Sequence, residues 1–174
     1  MTFAITMQHA ATQITQLPTY PITQFLIMKI EGSYTVPASR DRVFAALTDP
    51  GVLQKCIPGC EQLQKTADNQ YSAKLSAGVG AIKAVFMATV CMEEVTPPTH
   101  YKLVVEGKAQ PGFVKGTGSL DLTEQGSGTE IKYTGEVNVG GMLASVGQRM
   151  LQATANMLAG KFFAALEEET KGIG

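Results

Sequence analysis

Four tyrosines are the side chains of this sequence best placed to do chemistry. Tyr34, Tyr71, Tyr101 and Tyr133 each sit at an alternate position of a strand-like stretch, on the side where apolar residues gather. A phenol there can donate a hydrogen bond to a carbonyl, or it can pack its ring and send its hydroxyl to water or backbone. General-base chemistry has less support. A hydrolase needs a nucleophile, a base and an orienting group, yet the only histidines are His9, in a polar N-terminal stretch, and His100, on the polar side of its strand. Cys56 and Cys60 look like half of a metal site, but Pro58 and Gly59 break the helix between them, so no metal ligand set is expected. Three cysteines with no leader of secretory type point to reduced thiols in a cytoplasmic setting.

Glycine-rich Gly78-Val79-Gly80 joins two strands, and no helix N-terminus follows it to hold a phosphate. It reads as a hairpin. Its functional version is a gate at the rim, formed by Gly78, Val79 and Gly80, with Lys83 nearby to meet a polar head group.

The elements that must position these residues follow from a period of two. Lys29, Glu31, Ser33 and Thr35 alternate with Ile30, Gly32, Tyr34 and Val36, and the same split recurs along the chain to Asn138. Turn residues separate the strands at Asp68-Asn69, 78–80, 96–98, 110–112 and 125–128, close enough to imply hairpins and antiparallel neighbours. The apolar side contains Gly32, Gly107, Gly116, Gly118 and Gly135. Because interiors pack to the density of organic crystals, such glycines either permit bends and close backbone approach or leave a hollow for a guest. A guest would meet Leu75, Phe86, Val90, Leu103 and Val105 on the strands, beside Gly116, Gly118, Tyr101 and Tyr133.

Helices complete the enclosure. Ser39 caps a short helix over 40–48, Asp49-Pro50-Gly51 stops it, and a second runs from Val52 to Cys56, offering Leu53 and Ile57 to the interior. After Gly140-Gly141 a long helix is expected from Met142 to Glu169, with a stripe through Leu143, Val146, Met150, Ala153, Met157 and Phe162, widened by Leu151, Leu158, Phe163 and Leu166. Its length of roughly 40 Å suits a helix laid across a sheet. Met150 and Met157 are flexible and polarizable, a residue type that adapts to irregular guests. Glu167, Glu168 and Glu169 put like charge at the negative end of the helix dipole, so that end is expected to fray.

A net charge of -1 with interspersed signs gives no electrostatic footprint for nucleic acid. No run of about 18 apolar residues marks a membrane span. At 174 residues one domain with a substantial core is expected. Residues 1–27, rich in Thr, Gln and Ala and interrupted by Pro18 and Pro21, read as a loosely ordered extension, with Met28 an alternative start just before the first strand.

The order strand, two short helices, six strands, long helix, together with Met28-Lys29-Ile30-Glu31-Gly32 and the stretch Val36 to Phe44, resembles the START-like, polyketide-cyclase-like superfamily. Asp49-Pro50 with Leu53, Cys56-Ile57-Pro58-Gly59-Cys60, Gly78-Val79-Gly80-Ala81-Ile82-Lys83 and Gly116-Thr117-Gly118-Ser119-Leu120 are similar to the carbon monoxide dehydrogenase G-subunit family, over 28–169. The resemblance implies an α+β helix-grip domain over 28–174: a seven-stranded curved antiparallel sheet, with the terminal helix across its concave face. It implies a non-enzymatic accessory protein of a molybdenum-containing hydroxylase, binding an elongated hydrophobic ligand such as a quinone or another lipid. No cofactor of its own is expected. The partners implied are that ligand, the hydroxylase complex and, in peripheral contact, the inner face of the membrane, which some relatives reach by a C-terminal extension; this sequence runs to Gly174. Two alternatives stand beside it: a maturation chaperone acting through protein contacts, and a small cyclase or dehydratase using the inward tyrosines.

Overall fold

The computed structural model describes residues 25–171. The chain forms β1 (Phe25–Val36), α1 (Arg40–Leu47), α2 (Pro50–Cys56), β2 (Cys60–Ala67), β3 (Gln70–Val79), β4 (Ile82–Thr96), β5 (His100–Ala109), β6 (Gly112–Gln125) and β7 (Gly128–Gly141). A 3₁₀ turn (Met142–Val146) and α3 (Gln148–Lys171) follow. Every strand neighbour is antiparallel, in the order β1-β7-β6-β5-β4-β3-β2, so one open sheet of seven strands packs its inner face against the helices. The fold is α+β, as the alternation and turn signals require.

Local chemistry sets the boundaries. Ser39 accepts from the Arg42 amide at 3.4 Å and caps α1, while Asp49 accepts from Gly51 at 2.8 Å and starts α2 with Pro50 in its first turn. Thr129, fully buried on β7, donates to the Ala38 carbonyl at 2.8 Å and ties the sheet to the start of α1. Asn69, Gly80 and Gly126 take positive φ in the hairpin turns.

Three expectations are corrected. β1 starts at Phe25, whose partner is Gly140, so 25–27 belong to the sheet and not to the extension; the rest of the extension, 1–24, lies outside the described residues. The terminal helix is not continuous from Met142, because Gly147, at φ 91° and ψ 157°, separates the 3₁₀ turn from α3. That backbone region is essentially reserved for glycine. The acidic end of α3 is tied down: Lys171 meets Glu167 at 3.3 Å and Glu168 at 3.5 Å, and Glu169 meets Lys55 of α2 at 3.7 Å.

The core is in two parts. At one end Phe163 and Leu166 of α3 join Val36, Val43, Phe44, Leu47, Tyr71, Tyr101, Leu120, Leu122 and Ile131. At the other, Leu151 joins Met28, Phe86, Val139 and Leu143. Between them lies a less deeply buried part of the sheet.

Candidate functional site

Across the middle of the inner face the strands present Ile30, Leu75, Val90, Leu103, Val105 and Val137, each half-buried, whereas Tyr101, Leu120, Leu122 and Ile131 toward one end and Met28, Phe86 and Val139 toward the other are buried. Opposite this band α3 offers Ala155, Leu158 and Ala159, also half-buried. The apolar band is thus less completely covered than the two buried cores that flank it. An apolar guest could cover it, with about 25 cal/mol for each Å² of apolar surface removed from water.

The inward glycines divide by what fills the space above them. At Gly32 a Cβ would collide with the Tyr133 hydroxyl, since the Tyr133 ring from the paired position of β7 lies across it. At Gly107 the gap is taken by Phe86 Cδ1 at 3.7 Å and Ala88 Cβ at 3.8 Å. Gly118 and Gly135 are paired across β6 and β7, and a Cβ on either would come within 2.9–3.0 Å of a backbone oxygen of the other strand. Gly32, Gly118 and Gly135 serve close packing. Gly107 and Gly116 differ: a Cβ on either would make ordinary contact, at 3.7 Å or more for Gly107 and at 3.4 Å to Val137 Cγ2 and the Glu136 carbonyl oxygen for Gly116, which borders the band. The hollow is therefore smaller than a count of glycines implies.

The four tyrosines have structural partners. Phe163 is stacked between Tyr34, at 5.4 Å, and Tyr133, at 5.2 Å, with Phe162 edge-on at 5.2 Å; such pairs contribute about 0.5–1.5 kcal/mol each beyond their area. Tyr34 donates to Glu167 Oε2 at 2.8 Å, which holds the Glu167 carboxyl below its usual value and raises the phenol. Tyr71 donates to the Thr48 carbonyl at 3.1 Å. Tyr101, edge-on to Phe44 at 5.8 Å, has its pKa pushed far up by burial, so it stays a neutral donor and cannot serve as a base.

Other expected site residues are placed as follows. Leu53, Ile57, Leu75, Val90 and Leu103 pack against the larger core, and Phe86 is buried in the smaller one. Val105, Gly116 and Gly118 lie on the band. Met150 and Met157 do not line it; they are 45% and 49% exposed, because Leu151 and Leu158, one position on, carry the inward face of α3. Met150 belongs to the rim, with its Cγ 3.9 Å from a Cβ built on Gly80, so the β3–β4 hairpin tip rests beside the start of α3. Gly78, Val79, Gly80 and Lys83 do share that hairpin.

A cleft of about 670 Å³ opens beside it, lined by Ser76, Ala77, Gly78, Lys83, Ala84, Val85, Gln110 and Pro111. Sequence reasoning missed Ala77, Ala84, Gln110 and Pro111. A signal existed: the turns bounding β4 and β5 leave arms of fifteen and ten residues, and a hairpin with unequal arms leaves an overhang. A second hollow, about 590 Å³, crosses the outer face between residues of both charge signs, including Lys29, Glu31, Lys102 and Glu136.

Elsewhere the titratable groups are structural. His100 faces outward, with Nδ1 2.7 Å from Asp121 Oδ1. Burial pushes the Cys56 thiol up to about 11 and raises Cys60 as well, which makes both poor nucleophiles at neutral pH. Among the described residues, no group of three His, Cys, Asp or Glu side chains is arranged to hold a metal ion, and no helix is long and apolar enough to cross a membrane.

The sequence pattern of one family, that of the carbon monoxide dehydrogenase G subunit (CoxG), matches residues 32–171. A conserved protein from Geobacillus kaustophilus of known structure is 36% identical, with 83% of this chain and 96% of that one covered and a TM-score of 0.80. A START superfamily protein from Mycobacterium smegmatis (13% identical, 84% and 99% covered, TM-score 0.63) shares the fold. So does an aromatase/cyclase from Streptomyces (14% identical, 84% and 94% covered, TM-score 0.63). No curated protein matches the chain.

Proposed function

The chain belongs to the CoxG family, the G subunits of carbon monoxide dehydrogenase, and from that premise we propose that it is a non-enzymatic accessory protein that binds an elongated apolar ligand between its sheet and α3. The observation that carries this reading is the incompletely covered band of Ile30, Leu75, Val90, Leu103, Val105 and Val137 between the two packed cores. A quinone or another isoprenoid lipid suits such a band, because each methylene buried contributes about 0.8 kcal/mol. The ligand would serve a molybdenum-containing hydroxylase of the carbon monoxide dehydrogenase type. Exchange of so apolar a molecule would place the protein in the cytoplasm, at the inner face of the membrane.

The absence of a suitable base on the inner face, among the described residues, supports binding over turnover. The inward tyrosines are stacked or hydrogen-bonded to structure, and the described histidine is on the outer face. Organic extraction of the purified protein after incubation with long-chain quinones, followed by mass spectrometry, tests the reading. Retention of about one quinone per chain by the wild type, lost in Gly116→Leu, is the expected result. No retained lipid in the wild type would end the proposal.

A further inference from the structure

β4 and β5 form a hairpin whose arms do not match. Their ladder opens at Met87 opposite Lys108, while β4 begins at Ile82, so residues 82–86 pair with β3 alone. On an antiparallel strand, alternate residues turn both amide and carbonyl to the same side. Every second residue of 82–86 therefore directs its backbone at the 670 Å³ cleft instead of at a neighbouring strand.

The lining of this cleft mixes the two faces of the sheet. Ala77 and Ala84 belong to the inner face, where both pack against the smaller core, whereas Lys83 and the half-exposed Val85 belong to the outer one. The cleft thus lies at the free edge of β4, between the β3–β4 hairpin and the β5–β6 turn at Gln110-Pro111. Its inner edge carries the cross-strand pair Ala77 and Ala84, and its outer lip carries a cation. Nearby Lys74 and Lys108 are paired with Glu61 and Glu106, but among the described residues no carboxylate pairs with Lys83.

We propose that this cleft is the doorway to the inner band, given the interior binding inferred for this fold. The apolar tail of the ligand passes between the free edge of β4 at Ala84 and the facing turn at Gln110-Pro111. A hydrogen-bond-accepting head, anionic or carbonyl, is held at the lip by the Lys83 ammonium and the backbone amides of 82–86 that have no strand partner. The β3–β4 hairpin, with Gly80 at φ 61° and its tip against Met150 and Val146, forms the movable jamb.

Stopped-flow fluorescence with two probes of one skeleton tests this: neutral phenylnaphthylamine and its anionic relative anilinonaphthalene sulfonate. Ala84→Phe narrows the doorway from β4 and Gln110→Trp from the facing turn, so a folding failure of one leaves the other. Either folded variant is expected to slow association and dissociation of both probes about tenfold at nearly unchanged affinity, as a gate does. Lys83→Glu is expected to slow association of the sulfonate alone, by about tenfold at low salt, and to reverse the sign of its dependence on ionic strength. Unchanged rates in the folded narrowing variants would overturn the doorway, and equal effects of Lys83→Glu on both probes would overturn the head-group role. A wild type that binds neither probe would instead overturn interior binding itself.

Discussion

Glycines that look alike in the sequence do different work at the scale of single residues. Gly32 makes room for the Tyr133 ring across the strand pair, an aromatic covering a glycine. Gly118 permits the close approach of β7, whereas Gly116 borders the band. Gly118→Ala, whose Cβ would stand 2.9 Å from the Thr134 carbonyl oxygen, is expected to cost about 1–3 kcal/mol by overpacking against backbone. Gly116→Ala is expected to stay within about 1 kcal/mol of wild type. Urea denaturation of the two variants distinguishes these roles; equal losses would contradict them. At the same scale, Tyr34 and Lys171 hold Glu167 below its usual pKa of 4.5. Because folding lowers this pKa, the stabilisation is complete above that value and fades as pH falls below it. Glu61, held down by Ser76 and Lys74, adds in the same direction. Glu167→Gln should therefore flatten, without abolishing, the fall in melting temperature between about pH 5 and pH 3, and an unchanged acid limb would refute the assignment.

The elements were legible where turn chemistry speaks for itself. Asp68-Asn69, Gln125-Gly126 and Asp49-Pro50 each impose a local backbone, and strands and short helices fall where they direct. The terminal helix was read less well because its apolar arc is wide. Met150 and Met157 satisfy the same periodicity as Leu151 and Leu158, one residue on, and only the register against the sheet selects the leucines, with Leu151 buried beside Met28, Phe86 and Val139. Its start was missed because residues 142–146 carry helix-compatible side chains, and the break depends on the backbone of one glycine. Gly147→Ala is expected to lose about 1–3 kcal/mol, since that conformation is reserved for glycine. Gly160→Ala, in the middle of α3 with nothing within 4 Å of its Cβ, should gain about 0.5–1 kcal/mol. Thermal melts of the pair decide, and a neutral Gly147→Ala would show that the break is not imposed there.

For the whole molecule, the question is how a long helix covers this sheet and where it would admit a guest. The two cores answer it. α3 is anchored at its C-terminal end by Phe163, Leu166 and the Tyr34–Glu167 hydrogen bond, and at its start by Leu151. Between these anchors it presents the small side chains of Ala155 and Ala159, opposite sheet residues that stay half-buried. The alternation of the strands made the inner face readable. How completely each part of that face is covered depends on helix placement, which no local signal encodes. A crystal structure of the protein equilibrated with a long-chain quinone tests this most directly. Elongated density lying along Leu103, Val105 and Gly116 under α3 is predicted; side chains of α3 packed continuously onto those residues, with no density between, would contradict it.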